Sequence, residues 1–126
     1  MIVGRWLAAG VAVLLVAGCG TGEPEASASA AVDRFVSTLD SPDVCLLLSP
    51  DARDSLEGGG EPCAEALAKR ELPHGRAREA TVWSDRAQVR TADDILFLVE
   101  LDTGWRITAA GCEPAEAGSY RCALES

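Results

Sequence analysis

At Pro73-His74-Gly75 the hydrophobic period of this 126-residue chain changes from helical to alternating, and that break limits the possible folds more than any other feature. Before it, Val32, Phe35, Val36 and Leu39 follow the i, i+3, i+4, i+7 spacing of one apolar helix face, which predicts a helix over about Ala28 to Leu39. Ser41-Pro42 supplies a cap and a first helical residue for a short helix through Leu48. Ser49-Pro50 repeats the device for Asp51 to Glu57. Gly58-Gly59-Gly60 interrupts, and a further helix from Pro62 to about Glu71 places Cys63 in its first turn, with Ala66 and Leu67 turned inward.

After the break, strands are expected near Ala80 to Ser84, Arg86 to Thr91, Ile95 to Leu101 and Trp105 to Ala110, with an edge strand around Tyr120 to Leu124. The links Ser84-Asp85, Ala92-Asp93-Asp94 and Asp102-Thr103-Gly104 are short enough for an antiparallel meander. Ile95 to Val99 is apolar on both faces, which suits a central strand covered by helices on one side. Short helices first and a curled antiparallel sheet of four or five strands second describe an α+β domain.

The amino-terminal region reads differently. Met1 to Arg5 carries one positive charge, Trp6 to Val16 is an almost unbroken apolar core, and Ala17 and Gly18 are small. The core falls short of the about 20 residues that cover roughly 30 Å of hydrocarbon. A leader over residues 1–18 that directs export is therefore expected, followed by a flexible tether from 19 to 29 and one folded domain over 30–126. Cleavage removes Arg5 as the only charge, so the exported part keeps all 20 acidic side chains of a chain whose net charge is already −9. Such a surface repels nucleic acid and anionic head groups.

In an oxidising compartment the even set Cys45, Cys63, Cys112 and Cys122 is expected to form two disulfides. Three pairings are possible. Cys45 with Cys63 and Cys112 with Cys122 are favoured because each pair is local and falls within one structural unit. Structural zinc is the competing use, but there is no C-x-x-C spacing and His74 is the only histidine.

Val16, Ala17, Gly18 and Cys19 resemble the lipobox of bacterial lipoproteins. The resemblance implies cleavage before Cys19 and a diacylglyceryl group on its sulfur, with acyl chains anchoring the protein at the extracytoplasmic face of the cell membrane. The segment Leu96 to Cys112, LFLVELDTGWRITAAGC, resembles the sheet of small ketosteroid-isomerase-like (SnoaL-like) cone domains. VCLLLSP at Val44 to Pro50, with Pro62-Cys63-Ala64-Glu65 and Gly111-Cys112, is similar to a group of exported lipoproteins from high-GC bacteria. A shared fold does not carry an activity with it.

The isomerases of that fold use an aspartate base with an oxyanion site of tyrosine and a protonated acid. Tyr120, the only tyrosine, lies between two cysteines, while Asp93, Asp94, Glu100 and Asp102 read as solvated carboxylates. His74 lacks a neighbouring nucleophile motif, and Gly58-Gly59-Gly60 lacks the lysine of a phosphate loop. No catalytic residue, cofactor or metal is assigned. Trp83, Phe97 and Trp105 suit a hydrophobic core rather than a ligand cavity, whereas Arg76, Arg78, Arg86, Arg90 and Arg106 are candidate contact residues, with Arg86, Gln88 and Arg90 on one strand face and pairing with the surplus acids as their other use. With no catalytic constellation assigned, a non-enzymatic interaction or ligand-binding module is expected, its protein or small-molecule partner left open. A filled or shallow cone is expected. A small isomerase- or hydrolase-type enzyme and a structural envelope component are the alternatives.

Overall fold

The protein is described here from a computed structural model that covers residues 22–126, together with Gly4 and Gly10. The rest of the expected leader and the expected lipidation at Cys19 lie outside the described residues. Among the described residues, α1 (Glu23–Ser37), a 3-10 helix (Pro42–Leu47), α2 (Pro50–Glu57) and α3 (Cys63–Ala68) precede β1 (Glu79–Trp83), β2 (Arg86–Arg90), β3 (Ile95–Leu101), β4 (Gly104–Pro114) and β5 (Tyr120–Leu124). The strands form one antiparallel sheet in the order β1-β2-β3-β4-β5. The chain is thus α+β, with β3 central. No helix among the described residues is long and apolar enough to cross a membrane.

The first helix starts earlier than its apolar face suggests. Residues 23–29, expected as tether, are helical: Pro24 sits in the first turn, Glu23 and Glu25 complement the positive end of the helix dipole, and Ala28 is fully buried. Alanine is the best helix former and small enough to lie against the sheet, so a segment without large apolar residues still packs. At the other end of the helical half, α3 stops at Ala68 rather than Glu71, because Glu71 takes a positive φ of 50° ahead of Leu72-Pro73. The two Ser-Pro starts form as expected: Ser41 Oγ accepts from Asp43 N at 3.2 Å, and Ser49 Oγ accepts from Ala52 N at 3.2 Å. Ser49 N in turn donates to Ile107 O at 2.8 Å, which fastens the start of α2 to β4.

One face of the sheet is covered. Ala87, Val89, Leu96, Leu98, Trp105 and Ile107 pack into a single core with Val32 and Phe35 of α1, Val44 and Leu48 beside them, and Leu56 and Leu67 from α2 and α3. Full burial of a side chain of this size contributes about 1.5–3 kcal/mol. Helices of six and eight residues are too short to be stable alone, so their order comes from this packing and from a covalent tie. Cys45 and Cys63 supply the tie by joining the 3-10 helix to the first turn of α3, and Cys112 and Cys122 join β4 to β5 at directly paired positions.

Asp94, expected as a solvated turn residue, is buried instead, with 9% of its surface exposed. Its Oδ1 accepts from Ile95 N at 2.7 Å and Cys112 N at 3.0 Å, and its Oδ2 accepts from Gly111 N at 3.0 Å. The carboxylate thereby does the work of ladder hydrogen bonds where β4 bends at Gly111. That bend needs glycine: φ is +66°, and an added Cβ meets Leu72 Cδ2 and Ala123 Cβ at 2.9 Å. Burial pushes the Asp94 carboxyl above the ordinary carboxylate range, against the lowering effect of the backbone N–H groups of Gly111, Ile95 and Cys112.

Two outcomes test this account. Replacing Cys45 and Cys63 together with serine is expected to lower the unfolding free energy by about 3 kcal/mol, read from urea denaturation, because the bond closes an 18-residue separation. Asp94→Asn leaves one carbonyl acceptor for three buried donors and is expected to cost about 2 kcal/mol at neutral pH. Because the folded carboxyl binds its proton more tightly than the unfolded one, its contribution is complete below the ordinary carboxylate range and is lost as pH rises through the raised value. The gap between wild type and Asp94→Asn in urea titrations should therefore widen as pH falls; a gap that narrows contradicts the assignment.

Candidate interaction surface

The four core cysteines sit where the local pairing puts them and act as structural staples. Among the described residues, no group of three or more His, Cys, Asp and Glu side chains is placed to hold a metal ion. Gly58 and Gly60 close α2, with Gly60 N donating to Glu57 O at 2.9 Å.

His74 lines an open cleft of about 610 Å³ together with Asp33, Ser37, Asp40 and Arg76. Three of these partners are already engaged with backbone or with a neighbour. Asp33 Oδ1 accepts from Ala77 N at 2.8 Å, Asp33 Oδ2 lies 3.6 Å from Arg76, and Ser37 Oγ donates to Arg34 O at 2.9 Å. Among the described residues no hydrogen bond links His74 to Ser37 or to a carboxylate. A second open cleft lies between the start of α1 and the sheet, lined by Glu23, Glu25, Glu100, Val82 and Trp105, with no basic side chain in its wall. Glu100 and Asp102 are exposed at that end of the sheet, and Asp93 is exposed in the turn before β3.

The face of the sheet opposite the helices is built differently. Strand alternation turns Arg86, Gln88 and Arg90 away from Ala87 and Val89, which belong to the core. Cross-strand register then sets the neighbours. Trp83, Arg86, Val99 and Arg106 form one row across β1 to β4; Thr81, Gln88 and Phe97 form the next; Glu79, Arg90 and Ile95 form the third. Val99 is buried yet lies outside the core cluster, on the outer face between Arg86 and Arg106. Trp83, expected in the core, is 48% exposed at the end of edge strand β1. Tyr120 is 37% exposed and packs edge-on to Phe97, with ring centroids 5.2 Å apart. Trp105, by contrast, is a core residue.

The outer face therefore joins an apolar strip, Ile95-Phe97-Val99 flanked by Trp83 and Tyr120, to three arginines. Only one carboxylate, Glu79, belongs to its three rows, directly opposite Arg90. Arg86 reaches Asp85 loosely, at 3.9 Å with both side chains well exposed, an arrangement worth under about 1 kcal/mol. The Arg106 guanidinium is held against the backbone, donating to Trp105 O at 2.9 Å and Thr103 O at 3.2 Å. Among the described residues neither Arg90 nor Arg106 makes an ion pair.

Sequence reading identified the Arg86-Gln88-Arg90 alternation but not the row that joins it to Val99, Arg106 and Trp83. The pairing of Trp83 with Arg86 across the Ser84-Asp85 turn carried the missing signal, since that two-residue link fixes the register of β1 on β2. Comparison with protein-family models, with curated proteins and with solved structures finds no match for this chain.

Proposed function

We propose that this protein is an exported lipoprotein, anchored through a lipid on Cys19 at the extracytoplasmic face of the cell membrane, that acts as a non-enzymatic interaction module. The domain is read as a small cone in which the short amino-terminal helices fill the inner side of a curled sheet. The observation that carries the reading is the contrast between the two faces of the sheet. The inner face is packed with helix side chains, while the outer face leaves Trp83 and Tyr120 exposed beside Phe97 and Val99. Exposed aromatic side chains ringed by arginine are the composition of a contact patch, because they release apolar surface from water and retain polar groups for orientation. The lipobox resemblance supports the anchor. The acidic surplus elsewhere on the domain supports solubility and makes nucleic acid an unsuitable partner.

Two measurements test the two halves of the proposal. In detergent phase separation the wild-type chain should enter the detergent phase, and Cys19→Ser should move it to the aqueous phase; equal partitioning of both removes the lipid anchor. A photo-crosslinking amino acid at Thr81 or Gln88 on the outer face should yield a discrete adduct in living cells, whereas the same group at Ser55 on α2 should not. Trp83→Ala should abolish the adduct while changing unfolding free energy by about 0.5 kcal/mol or less, as expected for a half-exposed edge residue. Adducts of equal yield from both faces contradict a defined contact surface.

A further inference from the structure

We infer that the outer face of the sheet takes an extended acidic segment of a partner protein, with the pattern acidic-x-apolar-x-acidic, laid across the row Trp83-Arg86-Val99-Arg106. This rests on the interaction reading above and specifies its chemistry. Charge complementarity selects the occupant. The chain has 20 acidic and 11 basic residues, yet the three rows of this face hold three arginines against Glu79 alone. Arg86 and Arg106 are both register neighbours of Val99, one on each side, so their backbones stand about two strand spacings, roughly 10 Å, apart. The carbonyls that orient the Arg106 guanidinium leave its charge unneutralised.

In an extended segment, residues i, i+2 and i+4 face one way and span about 13 Å. Two carboxylates at the ends meet the two guanidiniums, each able to form paired N–H to O bonds, and the central apolar side chain settles over Val99 between them, with Trp83 flanking the Arg86 end of the row. A second copy of the same face is a poor occupant, since it sets arginine row against arginine row. An anionic bilayer is disfavoured because its broad surface meets the whole neighbouring acidic end of the domain, whereas a single segment presents only two carboxylates, each set on an arginine. The turns that flank Arg86 and Arg106 carry Asp85 and Asp102, and Glu23, Glu25 and Glu100 line the cleft beside them.

The test uses the full chain, nitrogen-labelled in zwitterionic detergent micelles, titrated with the synthetic peptide Ser-Glu-Ser-Phe-Ser-Glu-Ser and followed by amide and indole chemical shifts. Saturable shifts at Trp83, Val99 and Arg106 are expected, with binding weakened about tenfold by the double change Arg86→Ala with Arg106→Ala and weakened further by salt. Arg86→Lys with Arg106→Lys should retain part of the affinity, and unchanged signals from the helices show that the variants are folded. The proposal is overturned if the peptide does not bind, if a version with lysine for glutamate binds equally, or if the alanine variant binds as wild type. It is also overturned if outer-face shifts arise only with phosphatidylglycerol vesicles. Crosslinks from Thr81 or Gln88 in cells combined with no peptide binding would retain the contact surface and reject this chemistry, whereas loss of the crosslinks rejects the surface itself.

Discussion

The fold depends on α1 lying across the sheet with Val32 and Phe35 seated against β-strand side chains. α1 lies against β1, β2 and β4, whose inward-facing residues include Val82, Val89 and Ile107, and the 3-10 helix, α2 and α3 fill the remaining ground with Val44, Leu56 and Leu67. Because a strand alternates its side chains, filling one face decides the composition problem of the other. The residues left over on the outer side have no helix to meet. In this chain they are neither uniformly polar nor uniformly apolar, and that mixture gives the face its character.

The same constraint explains the two covalent ties and the buried carboxylate. α2 and α3 have too few residues to hold their own shape, and the Cys45–Cys63 bond shortens the chain entropy they must overcome. At the opposite edge, β4 runs for 11 residues and serves β3 with its first part and β5 with its last. It bends at Gly111, where Asp94 supplies acceptors for the N–H groups of Gly111 and Cys112. Burying a carboxylate costs desolvation, which three backbone donors offset only in part, so the carboxyl stays above its ordinary range. The Asp94 side chain and the Cys112–Cys122 bond thus stabilise one corner from two directions, polar on one side and covalent on the other.

Most of the fold was legible because its signals are periodic. The switch at Pro73-His74-Gly75 separated helices from strands, the Ser-Pro pairs marked two starts, and two- and three-residue links between apolar runs left only a meander. What escaped was whatever depended on small or polar residues acting inside. Residues 23–29 contain no large apolar side chain, yet Ala28 is fully buried, because close packing of a helix on a sheet uses small residues as well as large ones. Asp94 looked like any turn carboxylate, since its partners are backbone N–H groups 17 and 18 residues away that no local pattern discloses. Trp83 looked like core because its strand alternates correctly. Its exposure follows from facing outward at the end of an edge strand, and facing direction is fixed only when register is known.

The position of α1 also bears on how a tethered domain presents its outer face. Its first residue, Glu23, follows Cys19 by four positions, a reach of at most about 14 Å. On the lipid-anchored reading, that reach holds the start of α1 close to the membrane surface. On that reading the acidic end formed by Glu23, Glu25 and Glu100 would face the head groups, where its charge would disfavour contact with anionic lipid. On the same reading the anchor joins the domain through α1, on the covered side of the sheet, and leaves the outer face without a cover from its own chain.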